Sequence, residues 1–381
     1  MTQLTHYRFI DALRGFAFLG VLSTHVGGLT HPVSKTLANL ADAGQYGVQL
    51  FFLLSAVTLL RSFALRSPEE NFPVRNFFIR RLFRIAPLFW LGIVFYVWLF
   101  GCGPDVYAPN GIGVWHIAST ASFLHGWYPT TINSVVPGGW SIAVEMTFYL
   151  CLPYLAGRLT SAWAAGSVFL YSLLAAAVLF FTMDTVLLRW LPPQDDQLIP
   201  WFLTMWFPSQ LPVFLLGFVV YHALRHDTVM QFLAVPGRPA LLACAAVYGV
   251  VALSSSTAGL LIPNHVFYSL VFALGIMVLA ARPFPVVVNP LTCGLGVISF
   301  SCYLTHFAAL KLTAQFILPA QFARMPPSMA SFLYFAAVWL ATLALTIALS
   351  ALTYWTIEKP GIYLGNRIIR RWEPLRPRGA A

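Results

Sequence analysis

The chain has 381 residues, of which 59% are hydrophobic and only 9% charged, with a formal net charge of +10. So few charges cannot clothe the surface of a soluble protein of this length, which excludes an ordinary soluble enzyme. The basic residues lie in short loops and tails between apolar runs, so the positive balance reads as membrane orientation, and no nucleic-acid partner is expected.

The apolar runs are near 20 residues, the length of helix that crosses roughly 30 Å of hydrocarbon. A backbone in lipid must satisfy its own hydrogen bonds, so these runs are helices. The expected fold class is an all-α integral membrane protein, a polytopic bundle of about ten transmembrane helices. In chain order they fall at about 10–30, 46–63, 82–101, 140–156, 163–182, 201–222, 239–257, 264–281, 291–311 and 330–356. Asp11 and Arg14 interrupt the first run, so a retained helix is expected there rather than a cleaved signal peptide. With this count, all of the 22 Lys and Arg residues except Lys35, Arg189, Lys311 and Arg324 fall on one side. That asymmetry predicts both termini in the cytoplasm.

The first helix carries Arg14 and His25, eleven residues apart. That spacing is three turns plus about 20°, with a rise of about 16 Å, so the two share a face and form a polar stripe. A snorkelling arginine and a satisfied core histidine would account for each singly. Around the start of the third helix, the run 75–84 brings Arg80, Arg81 and Arg84 together, and Arg81 and Arg84 share a face at i, i+3. Arginine clusters suit bidentate phosphate contacts, although lipid-headgroup anchoring is the plain alternative. The stretch from about 102 to 139 has no Lys or Arg and is rich in Gly, Pro and aromatics. A short interfacial helix is expected at 115–125. Trp115, Trp127 and Tyr128 read as an interfacial aromatic belt before a sugar-stacking surface.

The fourth helix places Ser141, Glu145 and Tyr149 on one face. A carboxylate in an apolar span is expensive unless paired, and such residues are usually functional. On the ninth helix Ser299, Tyr303 and His306 share a face. Counting along the helices puts His25, Glu145 and His306 at similar depth on three different segments. Two imidazoles and a carboxylate at one level read as an acid–base site. The five cysteines form no CxxC pair and are expected to be small packing residues, so no metal is expected. After Lys359 comes a short basic segment with no room for a soluble catalytic domain.

These residues lie in stretches that run nearly end to end: RFIDALRGFAFLGVLSTH (8–25), FFLLSAVTLL (51–60), FIRRLFRIAPLFW (78–90), WSIAVEMTFYLCLP (140–153), ISFSCYLTH (298–306) and IEKP (357–360). Together they resemble the membrane acyltransferase-3 family, which O-acylates polysaccharides and other acceptors. Four positions depart from the family pattern: Ala56, Ala143, Thr305 and Lys359.

The resemblance implies one membrane acyltransferase domain over 1–360 with a basic cytoplasmic tail at 361–381. It implies transfer of an acyl group, acetyl by default, from cytoplasmic acyl-CoA to a hydroxyl of an extracytoplasmic carbohydrate, polymeric or lipid-linked. His25, Glu145 and His306 are the catalytic candidates. In that scheme His25 is the base or transient acyl carrier, Glu145 orients it, and His306 contacts the acceptor or the oxyanion. Arg14, Arg81 and Arg84 are the candidate contacts to acetyl-CoA. Ser55, Trp140, Ser141 and Tyr303 are candidate lining residues. A bacterial inner membrane is the implied location. A proton-coupled transporter or flippase of a sugar-linked substrate is the competing reading.

Overall fold

The computed structural model describes residues 7–238, 263–322 and 324–372. The helix expected at 239–257 lies outside them, as do Cys244, Arg376 and Arg378. Among the described residues there is no strand, only one isolated bridge between Asp105 and Ala108. The helices are α1 (Arg8–Thr30), α2 (Lys35–Ala43), α3 (Gly47–Arg66), α4 (Pro73–Phe100), α5 (Val114–Ala121), α6 (Trp140–Arg158), α7 (Ala162–Trp190), α8 (Ile199–Met205), α9 (Phe207–Ala223), α10 (Asp227–Ala234), α11 (Asn264–Ala281), α12 (Pro290–Val297), α13 (Ser299–Phe316), α14 (Pro327–Thr353) and α15 (Lys359–Trp372).

Counted across short breaks, seven of these segments are long and apolar enough to span a membrane, or eight if a bent pair is one span. This is an all-helical integral membrane protein. Helix α6, with Glu145 inside and Arg158 in its last turn, is not among the seven.

Several boundaries differ from the sequence expectation. Helix α4 begins nine residues early, because Pro73 sits at its first position, where a missing N–H is harmless, and it continues through Pro87. The run 75–84 is therefore helix throughout. The sixth expected helix is broken at Trp206, between α8 and α9. The ninth is bent by 80° between α12 and α13. Asn289 caps α12, accepting from the Leu291 and Thr292 amides. The tenth passes through a π turn at Tyr354–Glu358 into α15, so the described part of the expected basic tail is helical.

The chain divides into two compact units. The first comprises the described residues of 1–57, 161–179 and 210–350, and α1 is its axis. Helix α12 crosses α1 at backbone contact. A Cβ on Gly15 would fall 2.5 Å from the Thr292 carbonyl, and one on Gly296 would strike the Asp11 carbonyl. Elsewhere along α1, Gly44 lies against the Gly20 carbonyl and Gly47 against that of Ala17. Lipid tails are as apolar as leucine, so helices in a membrane associate through such close small-residue contacts and buried hydrogen bonds. Phe18, Leu22 and Val26 of α1 then pack with Cys302 and Val338 in a closed apolar core. Trp339 donates to the Ser23 hydroxyl at 3.0 Å across that core.

The second unit comprises the described residues of 58–160, 180–209 and 351–372. Here α15 packs along α4 through Gly361 and Gly365. A Cβ on Gly361 would lie 2.6 Å from the Phe83 carbonyl. A second apolar core gathers Ile132, Leu191, Ile199, Phe202, Leu203 and Trp206.

Candidate functional site

In the first unit α1 and α13 bring His25 and His306 together. Their ring centroids are 5.3 Å apart, and Phe307 closes on both, at 4.4 and 4.1 Å. Phe18 meets the His306 ring edge-on at 6.0 Å. The 80° bend changes how His306 is placed: it stands seven residues into α13, so depth counted along one straight helix does not apply.

His306 is fully buried. Its Nδ1 lies 2.7 Å from the Tyr303 carbonyl and 3.3 Å from that of Cys302. A carbonyl can only accept, so Nδ1 carries the hydrogen and the lone pair of the neutral ring lies on Nε2. Nε2 is buried without a hydrogen-bond partner among the described residues. In this tautomer His306 accepts a hydrogen bond and does not donate one to an oxyanion.

His25 is half-buried and lines a cleft of about 620 Å³ with Thr24, Gly27, Gly28, His31, Pro32, Ala38, Ala41 and Asp42. Thr24 ties the cleft wall together by donating to the Ala41 carbonyl at 2.7 Å. Three other candidates, Tyr303, Ser55 and Arg14, share this unit. Tyr303 is buried and supplies the carbonyl that fixes His306, and Ser55 is half-buried on α3. Arg14 approaches Asp11 at 3.9 Å, one turn back on α1.

The second unit holds a different cluster. Glu145 and Tyr149 of α6 share a side-chain hydrogen bond, and Arg81 of α4 lies in the field of both. Phe77 faces Arg81 at 6.0 Å and meets Tyr149 edge-on. Nε of Arg81 and Nε of Arg66 are buried without a hydrogen-bond partner among the described residues. Buried guanidinium donors left over in this way suit an anionic ligand. Arg84 is placed otherwise: it faces the fully buried Glu358 at 3.6 Å, an ion pair too long for a hydrogen bond. Arg80 makes a bidentate pair with Glu70, at 2.6 and 3.0 Å. Ser141 donates to the Gly138 carbonyl at 3.0 Å, and Trp140 packs on the second apolar core.

A family profile described as an acyltransferase domain matches residues 7–355. The chain belongs to the acyltransferase-3 family. No curated protein and no solved structure matches it. The four departures from the family pattern are each absorbed by this acyltransferase. Ala56 faces Gly217, where a Cβ would fall only 2.5 Å from it, and Ala143 faces Gly126 in the same way at 2.8 Å. The Thr305 hydroxyl reaches the Ser301 carbonyl at 3.0 Å and the Ser350 hydroxyl at 2.8 Å. Lys359 sits 3.7 Å over the Trp355 ring.

Sequence reading of the acyltransferase missed three groups. The role of Tyr149 as partner of Glu145 could have been drawn from the i, i+4 spacing. Glu358 was visible only as part of a short motif, although an acidic residue at the end of an apolar run is itself a signal. His125 gave no signal, being one polar residue in a long connection.

His125 is buried at the turn before α6, stacked on Phe89 at 5.8 Å, with Nε2 3.0 Å from the Gly139 carbonyl. Burial pushes its pKa down to about 4, against the smaller opposing pulls of the Gly139 and Ser119 backbone. The unfolded chain, with an ordinary value near 6.5, binds the proton first. Stability contributed by the neutral ring is therefore complete above about pH 6.5 and is lost as pH falls toward 4. Thermal unfolding midpoints in detergent should fall across that window, and His125→Phe, which keeps a ring on Phe89, should flatten the decline. An unchanged slope in the variant would assign the acid sensitivity to another group.

Proposed function

We propose that this acyltransferase moves an acyl group, acetyl by default, from acyl-CoA on the cytoplasmic side to a hydroxyl of an extracytoplasmic carbohydrate, polymeric or lipid-linked. We place it in a bacterial inner membrane, with both termini cytoplasmic and about ten spans. The acyltransferase domain would cover 1–360, followed by a basic segment at 361–381. The observation that carries the reading is the imidazole pair at the cleft: His25 on the wall, His306 behind it with one nitrogen pinned.

His25 is the general base. It removes the proton from the acceptor hydroxyl as that oxygen bonds to the acyl carbon, and the carbon–sulfur bond breaks. The same proton then passes to the departing CoA thiolate, so the products are an ester and free CoA, and His25 is regenerated neutral. His306 is a positioning residue, since it is fully buried, stands outside the cleft lining and packs against His25, which is in it. Tyr303 acts through His306, and Ser55, Trp140 and Ser141 are lining residues.

Arg81 is the strongest contact to donor phosphate, since its Nε is otherwise unused among the described residues. Arg14 and Arg84 are proposed as further contacts. Glu145 is proposed to act with Tyr149 on Arg81, a role its own partners support more directly than the orienting of His25.

The test is turnover by the parent protein in nanodiscs, supplied with acetyl-CoA and methyl glycosides and assayed for free CoA and acetyl ester. Equal amounts of the two products are expected. If no acceptor yields CoA, yet vesicles containing the protein move a labelled sugar-linked lipid, the transporter or flippase reading replaces this one.

A further inference from the structure

We propose that the cleft between the C-terminal end of α1 and α2 is the acceptor subsite, built for a polyhydroxylated ring, with Asp42 and His31 as its specificity-determining side chains. The inference rests on the transferase reading for what happens next, but the binding it describes is independent of it.

Size and lining carry the argument. A volume of about 620 Å³ falls within the roughly 300–1,000 Å³ of small-molecule sites. Its wall offers one carboxylate (Asp42), two imidazoles (His25 and His31), the Thr24 hydroxyl and the short residues Gly27, Gly28, Pro32, Ala38 and Ala41. Among the described residues no Phe, Tyr or Trp and no long aliphatic side chain lines it, so an acyl chain or lipid tail would find little apolar surface to bury against. A ring bearing several hydroxyls would find hydrogen-bond partners at one carboxylate, one hydroxyl and two imidazoles, with His25 present as the base.

Two backbone features shape the cleft wall. His31 ends α1 at φ 45°, in the left-handed region that a residue other than glycine seldom adopts, while its amide donates to the Gly27 carbonyl at 2.9 Å. Strain of that kind tends to be kept where a side chain must be aimed. Gly27 lets α2 approach, since a Cβ there would fall 2.9 Å from Ala41, whereas a Cβ on Gly28 would meet nothing within 4 Å. Gly28 therefore borders open space, and a larger side chain there fills the cleft without displacing a neighbour.

The experiment uses the full chain in nanodiscs and a panel of methyl hexosides and methyl N-acetylhexosaminides. Saturation-transfer NMR reads their binding without acetyl-CoA, and turnover reads KM for acceptor and donor separately. Gly28→Leu and Asp42→Asn are expected to weaken glycoside binding at least tenfold. They should raise acceptor KM at least tenfold more than acetyl-CoA KM. Gly166→Leu, likewise placed in open space but on α7, is the control for a bulky exposed leucine in a helix. Glycoside binding that is equal in the parent and Gly28→Leu, or absent from the parent across the panel, overturns the assignment. Binding lost on Gly28→Leu in a protein that never releases CoA from acetyl-CoA upholds the subsite and overturns the transferase reading instead.

Discussion

Replacing His25 by alanine is expected to lower acetyl transfer by about 10²–10⁴-fold, the contribution of one positioned acid–base group. The loss should appear in kcat, with acetyl-CoA affinity held within a few-fold, because His25 belongs to the cleft and not to the arginine cluster. The neighbour sharpens the test. His306 is fully buried and fixed through Nδ1, so His306→Phe keeps a ring against His25 and Phe307 while removing the Nε2 lone pair. If His306 only positions His25, His306→Phe should lower kcat less than His25→Ala, and the double variant should be no worse than His25→Ala alone, since residues acting as one unit are not additive. A double variant that loses the product of both effects would make His306 an independent participant. His25→Ala with full turnover would end the base assignment.

What sequence made legible was whatever depends on one helix. Arg14 and His25 fall on α1, and Ser141, Glu145 and Tyr149 fall on α6, because helical periodicity is fixed over such distances. The apolar runs gave the helices for the same reason, to within a few residues at α1, α3 and α11. Illegible was whatever depends on a bend or on a contact distant in the chain. The 80° turn at Ile298 leaves no mark that the apolar run ISFSCYLTH would reveal, yet it decides how His306 meets His25. The cleft is formed by α2, a short helix whose sequence is too polar for a span and too short to attract notice. Arg84 and Glu358 lie far apart in the chain, and the sequence shows each charge but not the pairing.

That pairing sets up the second large effect. Arg84→Ala is expected to lower stability by about 3 kcal/mol, the low end of the roughly 3–5 kcal/mol seen when one partner of a buried ion pair is removed. The Glu358 side chain is 0% exposed and would lose the guanidinium that faces it at 3.6 Å. The Arg84 side chain is 31% exposed, so water already screens part of the attraction, which argues for the low end. Glu358 is held in a π turn, a local widening of the helix found often at functional sites. Thermal unfolding of Arg84→Ala, Glu358→Gln and the double variant separates two roles that the single variant confounds. If Arg84 serves only to neutralise Glu358, the double variant recovers most of the stability lost in Arg84→Ala and binds acetyl-CoA like the parent. If Arg84 also meets donor phosphate, stability recovers in the double variant while the acetyl-CoA affinity lost with the guanidinium does not. Stability that fails to recover would mean that Arg84 is held by packing against its neighbours, and that the charge on Glu358 is met by other groups.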